Sequence, residues 1–356
     1  MKSKHDLSWI FFSLFVLFMA GCNTQGGAKV KAPAAPPKSA RDTVKQSAAS
    51  TAPPVKIDSS RPLDTTLYKK LVMHLVHDSA SAKWPVKSPY PMTGAILPFK
   101  RIVAYYGNFY NAGMGILGET PTDSMLAHLM AEVRKWQAAD SAVQVLPAIH
   151  YIAVTAQGQP GKGNKYRLRM PFSQIDKAME LARKINAIVI LDVQVGWSTL
   201  QDEIPTLEPY LKLPNVHLAI DPEFSMKSSG RKPGTIIGTF SAADINYASQ
   251  YLVNLVKKYN LPPKILVVHR FTNDMVTNYK SIILHPETQI VMDMDGWGFP
   301  AKKVSSYKLA EAREPVEFTG FKLFYKNDIK TPPWKTIMTP QQVLKLYPSP
   351  IYIQYQ

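Results

Sequence analysis

Eight short apolar, β-branched runs recur along the last 256 residues of this chain, and they leave few folds open to it. They lie at 101–107 (RIVAYYG), 143–154 (VQVLPAIHYIAV), 187–195 (AIVILDVQV), 216–224 (VHLAIDPEF), 264–271 (KILVVHRF), 288–296 (TQIVMDMDG), 320–325 (GFKLFY) and 350–356 (PIYIQYQ). Most are almost continuously apolar, which suits strands covered on both faces of a parallel sheet. Helical patterns fill the gaps. Residues 121–139 put Met125, Leu129, Val133 and Trp136 on one face, and 171–185 do the same with Ile175, Ala178, Met179 and Ala182. Residues 242–259 align Ile245, Ala248, Leu252 and Val256 behind Ser241, a good N-cap residue. Shorter helices fit 204–211, 273–282, 302–312 and 340–346.

Eight strand–helix repeats over 256 residues match the ~250 residues of a (β/α)8 TIM barrel. A doubly wound sheet is the rival, but the sequence lacks the glycine motif expected at its switch point. A single barrel over 101–356 is therefore expected, with 62–100 as an N-terminal helix and lead-in. The eighth strand has no helix after it. The amphipathic stretch 64–78, with Leu67, Leu71, Val72, Leu75 and Val76 on one side, is expected to take the vacant outer position between the last and first strands.

The N-terminus reads as an export and anchoring device. Lys2 and Lys4 precede an apolar run at 9–20 (WIFFSLFVLFMA). That run is short for a transmembrane span and has the length of a signal-peptide core. Met19-Ala20-Gly21-Cys22 then resembles the lipobox cut by bacterial lipoprotein signal peptidase. Cys22 is the only cysteine of the chain, and acylation accounts for an otherwise exposed exported thiol. Residues 1–21 are thus expected to be a lipoprotein signal peptide. On this reading the protein is exported and held to a cell or outer membrane by lipid on Cys22. Residues 22–61, rich in Ala, Pro, Ser, Thr, Lys and Gln, are expected to form a disordered, semi-extended tether. Seven basic residues against Asp42 and Asp58 make that tether responsible for +5 of the net charge of +16. The remaining excess is scattered without interleaved aromatics, so no nucleic-acid partner is expected.

Polar residues concentrate at the C-terminal ends of the strand runs, where barrels of this type place their active sites. Asp192 and Gln194 close the third run, Asp221 and Glu223 the fourth, His269 the fifth, and Asp293 and Asp295 the sixth; His150, Lys322 and Gln354 stand on the second, seventh and eighth. Residues two apart on a strand face the same way, so each carboxylate pair should point into the barrel. A buried salt bridge, with Lys322 for example, would explain any one of these acids. Five carboxylates at one mouth indicate a functional site. Tyr106, Trp197 and Trp297 accompany them, and the two tryptophans follow glycines just beyond the Asp192/Gln194 and Asp293/Asp295 pairs, where a sugar-stacking surface would sit.

The segments YYGNFYNAGMGILGE (105–119), PAIHYIAVTAQGQPG (147–161), LAIDPEFSM (218–226), VVHRFT (267–272) and MDMDGWG (292–298) resemble a family of bacterial cell-surface lipoproteins with a TIM-barrel domain. That likeness bears on fold and localisation. A second likeness bears on chemistry: Asp221-Pro222-Glu223 resembles the Asp-x-Glu that ends strand four in barrel glycosidases of the chitinase and lysozyme-like kinds. It implies Glu223 as acid with Asp221 tuning it, and Asp293 or Asp295 as base or cation stabiliser. The longer aspartate run before the chitinase Glu is absent, and strand seven offers Lys322 where many barrel glycosidases have a Glu nucleophile.

Three functions follow. A glycoside hydrolase acting on a poly- or oligosaccharide would use Glu223, Asp221, Asp293 and Asp295 for catalysis. It would bind sugar through Asp192, Gln194, His150, His269, Tyr106, Trp197, Trp297, Lys322 and Gln354, with no cofactor and no metal. A metal-dependent phosphodiesterase-type hydrolase would instead use Asp192, Asp221, Glu223, His269 and Asp293 as ligands. The basic loops 158–169 and 227–234 would then grip an anion. A non-catalytic glycan-binding lipoprotein on the same scaffold is the third. The anchor has its own test: Cys22→Ser should abolish incorporation of labelled fatty acid and move the protein from the membrane to the soluble fraction. A variant that stays membrane-bound to the same extent overturns this reading.

Overall fold

The structure, a computed structural model, describes residues 62–356. The proposed signal peptide, Cys22 and the proposed tether lie outside these residues. Among the described residues no helix is long and apolar enough to cross a membrane.

Eight parallel strands close into one barrel: β1 (Lys100–Gly107), β2 (Gln144–Ala156), β3 (Ile188–Val193), β4 (Val216–Ile220), β5 (Lys264–Arg270), β6 (Thr288–Met294), β7 (Phe318–Leu323) and β8 (Tyr352–Tyr355). Each strand pairs with the next, and β1 pairs with both β2 and β8, so no edge is left open. Around them run α1 (Thr65–Leu75), α2 (Thr122–Ala139), α3 (Phe172–Lys184), α4 (Ala242–Tyr259), α5 (Pro300–Tyr307) and α6 (Pro340–Val343). The capping at α4 follows from sequence. Ser241 and Asp244 form a reciprocal capping box, and Asn260 ends the helix in the left-handed conformation.

The near-continuous apolar runs are covered on both sides. Outward residues such as Val103, Ile149, Val189, Leu218, Leu266 and Ile290 join the helices in one large core. Inward residues Ile102, Ala104, Leu146, Ile188, Ala219, Val267 and Val291 fill the lower barrel in a second core. Alternation then places Tyr106, His150, Asp192, His269, Asp293, Lys322 and Gln354 inside and above this apolar layer.

Helix α1 departs from the expected outer position. Its Leu71 and Leu75 join Ile96 and Leu97 in the inner core, so the helix and lead-in close the N-terminal end of the barrel. The reason lies in buried polar hooks at that end. The Gln289 amide accepts from Ile96 N and Leu97 N and donates to Leu97 O. Asp140 accepts from Arg101 Nη1 at 2.8 Å and pairs with His74 of α1 at 3.0 Å. The outer position between β8 and β1 is spanned by α2 leaning toward α6, with Trp136 Nε1 donating to Tyr355 Oη at 2.9 Å. A cleft of about 640 Å³ remains beside them, lined by Glu132, Tyr325, Met338 and Tyr355 among others. The helix expected over 273–282 is also different: Asn273–Met275 and Tyr279–Ser281 are single turns flanking a two-residue strand that pairs with Phe240–Ser241. Residues 302–312 divide into α5 and a π-turn at Lys308–Ala312.

Closure of the barrel floor by α1 predicts an asymmetry between two leucines of one helix. Leu75 is 6% exposed and Leu67 is 41% exposed. Leu75→Ala should cost about 2–5 kcal/mol in denaturant unfolding, whereas Leu67→Ala should stay within about 0.5 kcal/mol. Equal costs would place the helix elsewhere.

Candidate active site

The upper interior of the barrel is a single buried electrostatic network, and strand alternation assembles it. Asp192 on β3 accepts from Tyr106 Oη of β1 at 3.1 Å and lies 3.7 Å from His269 Nε2 of β5. On the other side of that imidazole, Nδ1 faces Asp293 Oδ2 at 3.5 Å and Asp295 Oδ2 at 3.1 Å. Lys322 on β7 pairs with Asp295 Oδ1 at 3.0 Å, and its ammonium sits 3.8 Å from the centre of the Tyr106 ring. His150 on β2 is 2.6 Å from Tyr352 Oη and 2.9 Å from Gln354 Nε2, both on β8. Gln194, just past β3, links Tyr106 to Asp221. Asp192, His269, Asp293, Gln354 and His150 are fully buried.

Asp221 and Glu223 do not form a pair along a strand. β4 ends at Ile220, and Pro222 starts a 3-10 turn whose first backbone donor, Glu223 N, is capped by Asp221 Oδ1 at 3.0 Å. Proline cannot supply a ladder N–H and favours such an opening position. The turn swings Glu223 to the rim, where it is only partly buried.

The acids differ sharply in ionisation. Burial raises Glu223 to about 7, helped by the negative charge of Asp295 and opposed by Lys322 and His269. Burial would also raise Asp295, but Lys322 and His269 overcome it and hold the group at about 2. Asp221 is pushed well above the usual carboxylate range by burial, so the charge that keeps Glu223 protonated is that of Asp295, not the expected Asp221. Burial works against a charged His269, yet Asp192 and Asp295 raise it well above an ordinary histidine. His150, buried beside His269 and Lys322, is held well below the usual value. Asp192 and Asp293 are raised by burial and pulled back by His269.

The aromatic residues separate. Trp297 is 37% exposed at the mouth, with Lys302 Nζ 4.8 Å from its ring centre. Trp197 is fixed more firmly, its ring 4.5 Å from that of Tyr166 and its indole N–H donated to Arg231 O. Gly196 allows this turn: its φ is +59°, and a Cβ there would meet Tyr166 O at 2.3 Å. In the basic loop 158–169, Arg167 and Arg169 are taken up by the buried Glu203 at 2.7 Å each, which leaves Lys162 and Lys165 as its cations.

Three supports escaped the sequence reading. Tyr352 orients His150. Lys303 is buried, pairs with Asp328 at 3.0 Å and donates to Gly296 O and Lys322 O, so it ties the loop after β6 to the end of β7. Gly320 faces Asp293 and Tyr352, where a Cβ would fall 2.5 Å and 2.9 Å from their atoms. Tyr352 lay in a run that already looked like core. A buried lysine inside a helix pattern and a glycine inside a strand run carry no signal of their partners.

His150, Asp192 and His269 bring one potential ligand atom each to within 4.8 Å of one another, the one such grouping among the described residues.

No family model matches the sequence, and no curated protein matches it. Among solved structures, a mannanase of Bacillus subtilis is similar over 86% of this chain and 88% of its own, at 11% identity and a TM-score of 0.38.

The network makes Lys322 the counter-charge of a buried acid. Lys322→Met should cost about 3–5 kcal/mol, because it strands Asp295. Adding Asp295→Asn should recover a large part of that loss in a double-mutant cycle. Additive costs in the cycle would mean that the two side chains do not depend on each other.

Proposed function

We propose that this protein is a glycoside hydrolase acting on a poly- or oligosaccharide, exported and held to a bacterial membrane through lipid on Cys22. One observation carries the chemistry: two carboxyl groups at the mouth of one barrel have opposite environments. Glu223 stands on the rim turn with no hydrogen-bond or ionic partner for its side chain among the described contacts, and burial keeps its proton to about 7. Asp295 lies against Lys322 and His269 and is ionised. Glycosidic cleavage needs this division of labour, one acid to protonate the leaving oxygen and one carboxylate to meet the cationic centre or activate water.

The other residues take supporting roles. Lys322 and His269 fix Asp295 in position and keep it charged. Gln194 and Tyr106 brace Asp221 and Asp192 from inside the barrel. Trp297 offers an exposed ring at the mouth on which a sugar face can stack. The N-terminal pattern ending at Cys22 supports the anchored, exported location.

The expected outcome is specific in pH and in residue. Cleavage of a suitable glycan should fall as pH rises through about 7, since only protonated Glu223 is the acid. Glu223→Gln, which keeps the size and removes the titrating proton, should lower kcat by about 10²- to 10⁴-fold with sugar binding retained. Released reducing ends from a panel of bacterial and plant glycans provide the measurement. Wild-type cleavage that survives in Glu223→Gln refutes the assignment. Binding of glycans without cleavage by the wild type favours the glycan-binding reading.

A further inference from the structure

The deepest polar layer of the barrel contains groups that acid–base cleavage at the rim leaves unused. His150 Nε2, His269 Nε2 and Asp192 Oδ1 are buried from solvent and have no hydrogen-bond partner. The three side chains come from three different strands and converge: Asp192 Oδ2, which accepts from Tyr106 Oη, lies 3.9 Å from His150 Nε2 and 3.7 Å from His269 Nε2, so the two unpaired imidazole nitrogens flank one carboxylate. Buried polar atoms are nearly always paired, so two unpaired imidazole nitrogens against one carboxylate with a free oxygen call for an occupant. We propose that His150, Asp192 and His269 form a binding site for one divalent first-row transition ion.

The surroundings of each ligand fit that role. Metal-binding histidines hold their second nitrogen on a carboxylate or hydroxyl, which aims the first at the ion. His269 Nδ1 lies 3.1 Å from Asp295 Oδ2 and 3.5 Å from Asp293 Oδ2, within ion-pair reach but not aligned as a hydrogen bond, and a proton settled on Nδ1 toward these acids leaves the Nε2 lone pair directed inward. His150 Nδ1 faces Tyr352 Oη, and Gln354 Oε1 has no partner. Turning the Gln354 amide over lets its oxygen accept from the tyrosine while Tyr352 accepts from His150 Nδ1–H, and His150 Nε2 is then free as a ligand. Tyr106 Oη donates to Asp192 Oδ2 and fixes that carboxylate.

Two imidazoles and one carboxylate suit Zn²⁺, Co²⁺, Mn²⁺ or Fe²⁺ better than Ca²⁺ or Mg²⁺, which favour all-oxygen sites. Tetrahedral bonds of about 2.1 Å put ligand atoms about 3.4 Å apart, so the two Asp192–histidine distances need to close by a few tenths of an ångström, and the widest pair, within 4.8 Å, by up to about 1.4 Å. Lys322 is the cation that would oppose an ion here, and its ammonium is already engaged by Asp295 Oδ1 and the Tyr106 face. The ion takes the place of a proton on His269 Nε2. It makes His269 a fixed donor to Asp295, a positioning role beneath the rim chemistry. The site stands on its own geometry and does not require the glycosidase reading.

The test counts metal. The full-length protein is stripped with EDTA, equilibrated with ZnCl₂ or CoCl₂, desalted and analysed by plasma mass spectrometry. One ion per chain is expected, with visible absorption bands for Co²⁺. His150→Ala and His269→Ala should each lose at least about a hundredfold in affinity, and Tyr352→Phe about tenfold. His128→Ala, at an exposed position on α2, should bind as the wild type does. No retained ion, or affinity undiminished in His150→Ala, overturns the proposal. Should the alanine variants fail to fold, Tyr352→Phe decides, and unchanged affinity there overturns it. Absence of glycan cleavage would remove the glycosidase reading and leave the metal count untouched.

Discussion

The upper half of this barrel depends on the meeting of Lys322 and His269 with a ring of buried acids. Asp192, Asp293 and Asp295 stand inside a closed sheet, where an unpaired charge is costly. His269 lies between Asp192 and the two later aspartates, and Lys322 holds the remaining oxygen of Asp295. These two cations make it possible for one carboxyl group to stay ionised while its neighbours drift toward the neutral form. The contrast between Glu223 and Asp295 is therefore a property of the network, and neither side chain carries it alone.

The barrel itself was readable because its signal is repeated and local. Each strand announces itself by a mostly apolar run, and every run from 101–107 to 350–356 overlaps a strand of the closed sheet. Period-two alternation also told which strand residues face inward, so His150, Asp192, His269, Asp293 and Lys322 meet in one interior. What the sequence did not carry was specified by contacts far apart in the chain. Helix α1 has a plain amphipathic pattern, and nothing in that pattern tells an outer stripe from a floor plug; Gln289 and Asp140, both distant in sequence, settle it. The Asp221–Glu223 pair misled because two-residue spacing implies one face only while the strand continues. Proline between them ends it.

The supporting shell was the least visible part. Lys303 and Asp328 lock two loops beneath the mouth, yet each looks like an ordinary solvated residue in its own segment. Arg167 and Arg169 look like anion-gripping residues and are instead spoken for by Glu203. A charged side chain says little about its role until its partner is known, and the partners here come from other turns of the barrel.

Gly320 carries a consequence for how such a site can change. Its missing side chain is the space that Asp293 and Tyr352 occupy, with atoms that a Cβ would approach to 2.5 Å and 2.9 Å. Volume on β7 and volume on its two neighbouring strands are thus traded against each other. A larger residue at 320 requires Asp293 or Tyr352 to shift or to become smaller, which couples these three positions. Shrinking Asp293 first opens a void that Gly320→Ala can then fill, whereas the reverse order passes through a collision. At this point of the barrel, steric room on one strand is set by the side chains of its two neighbours.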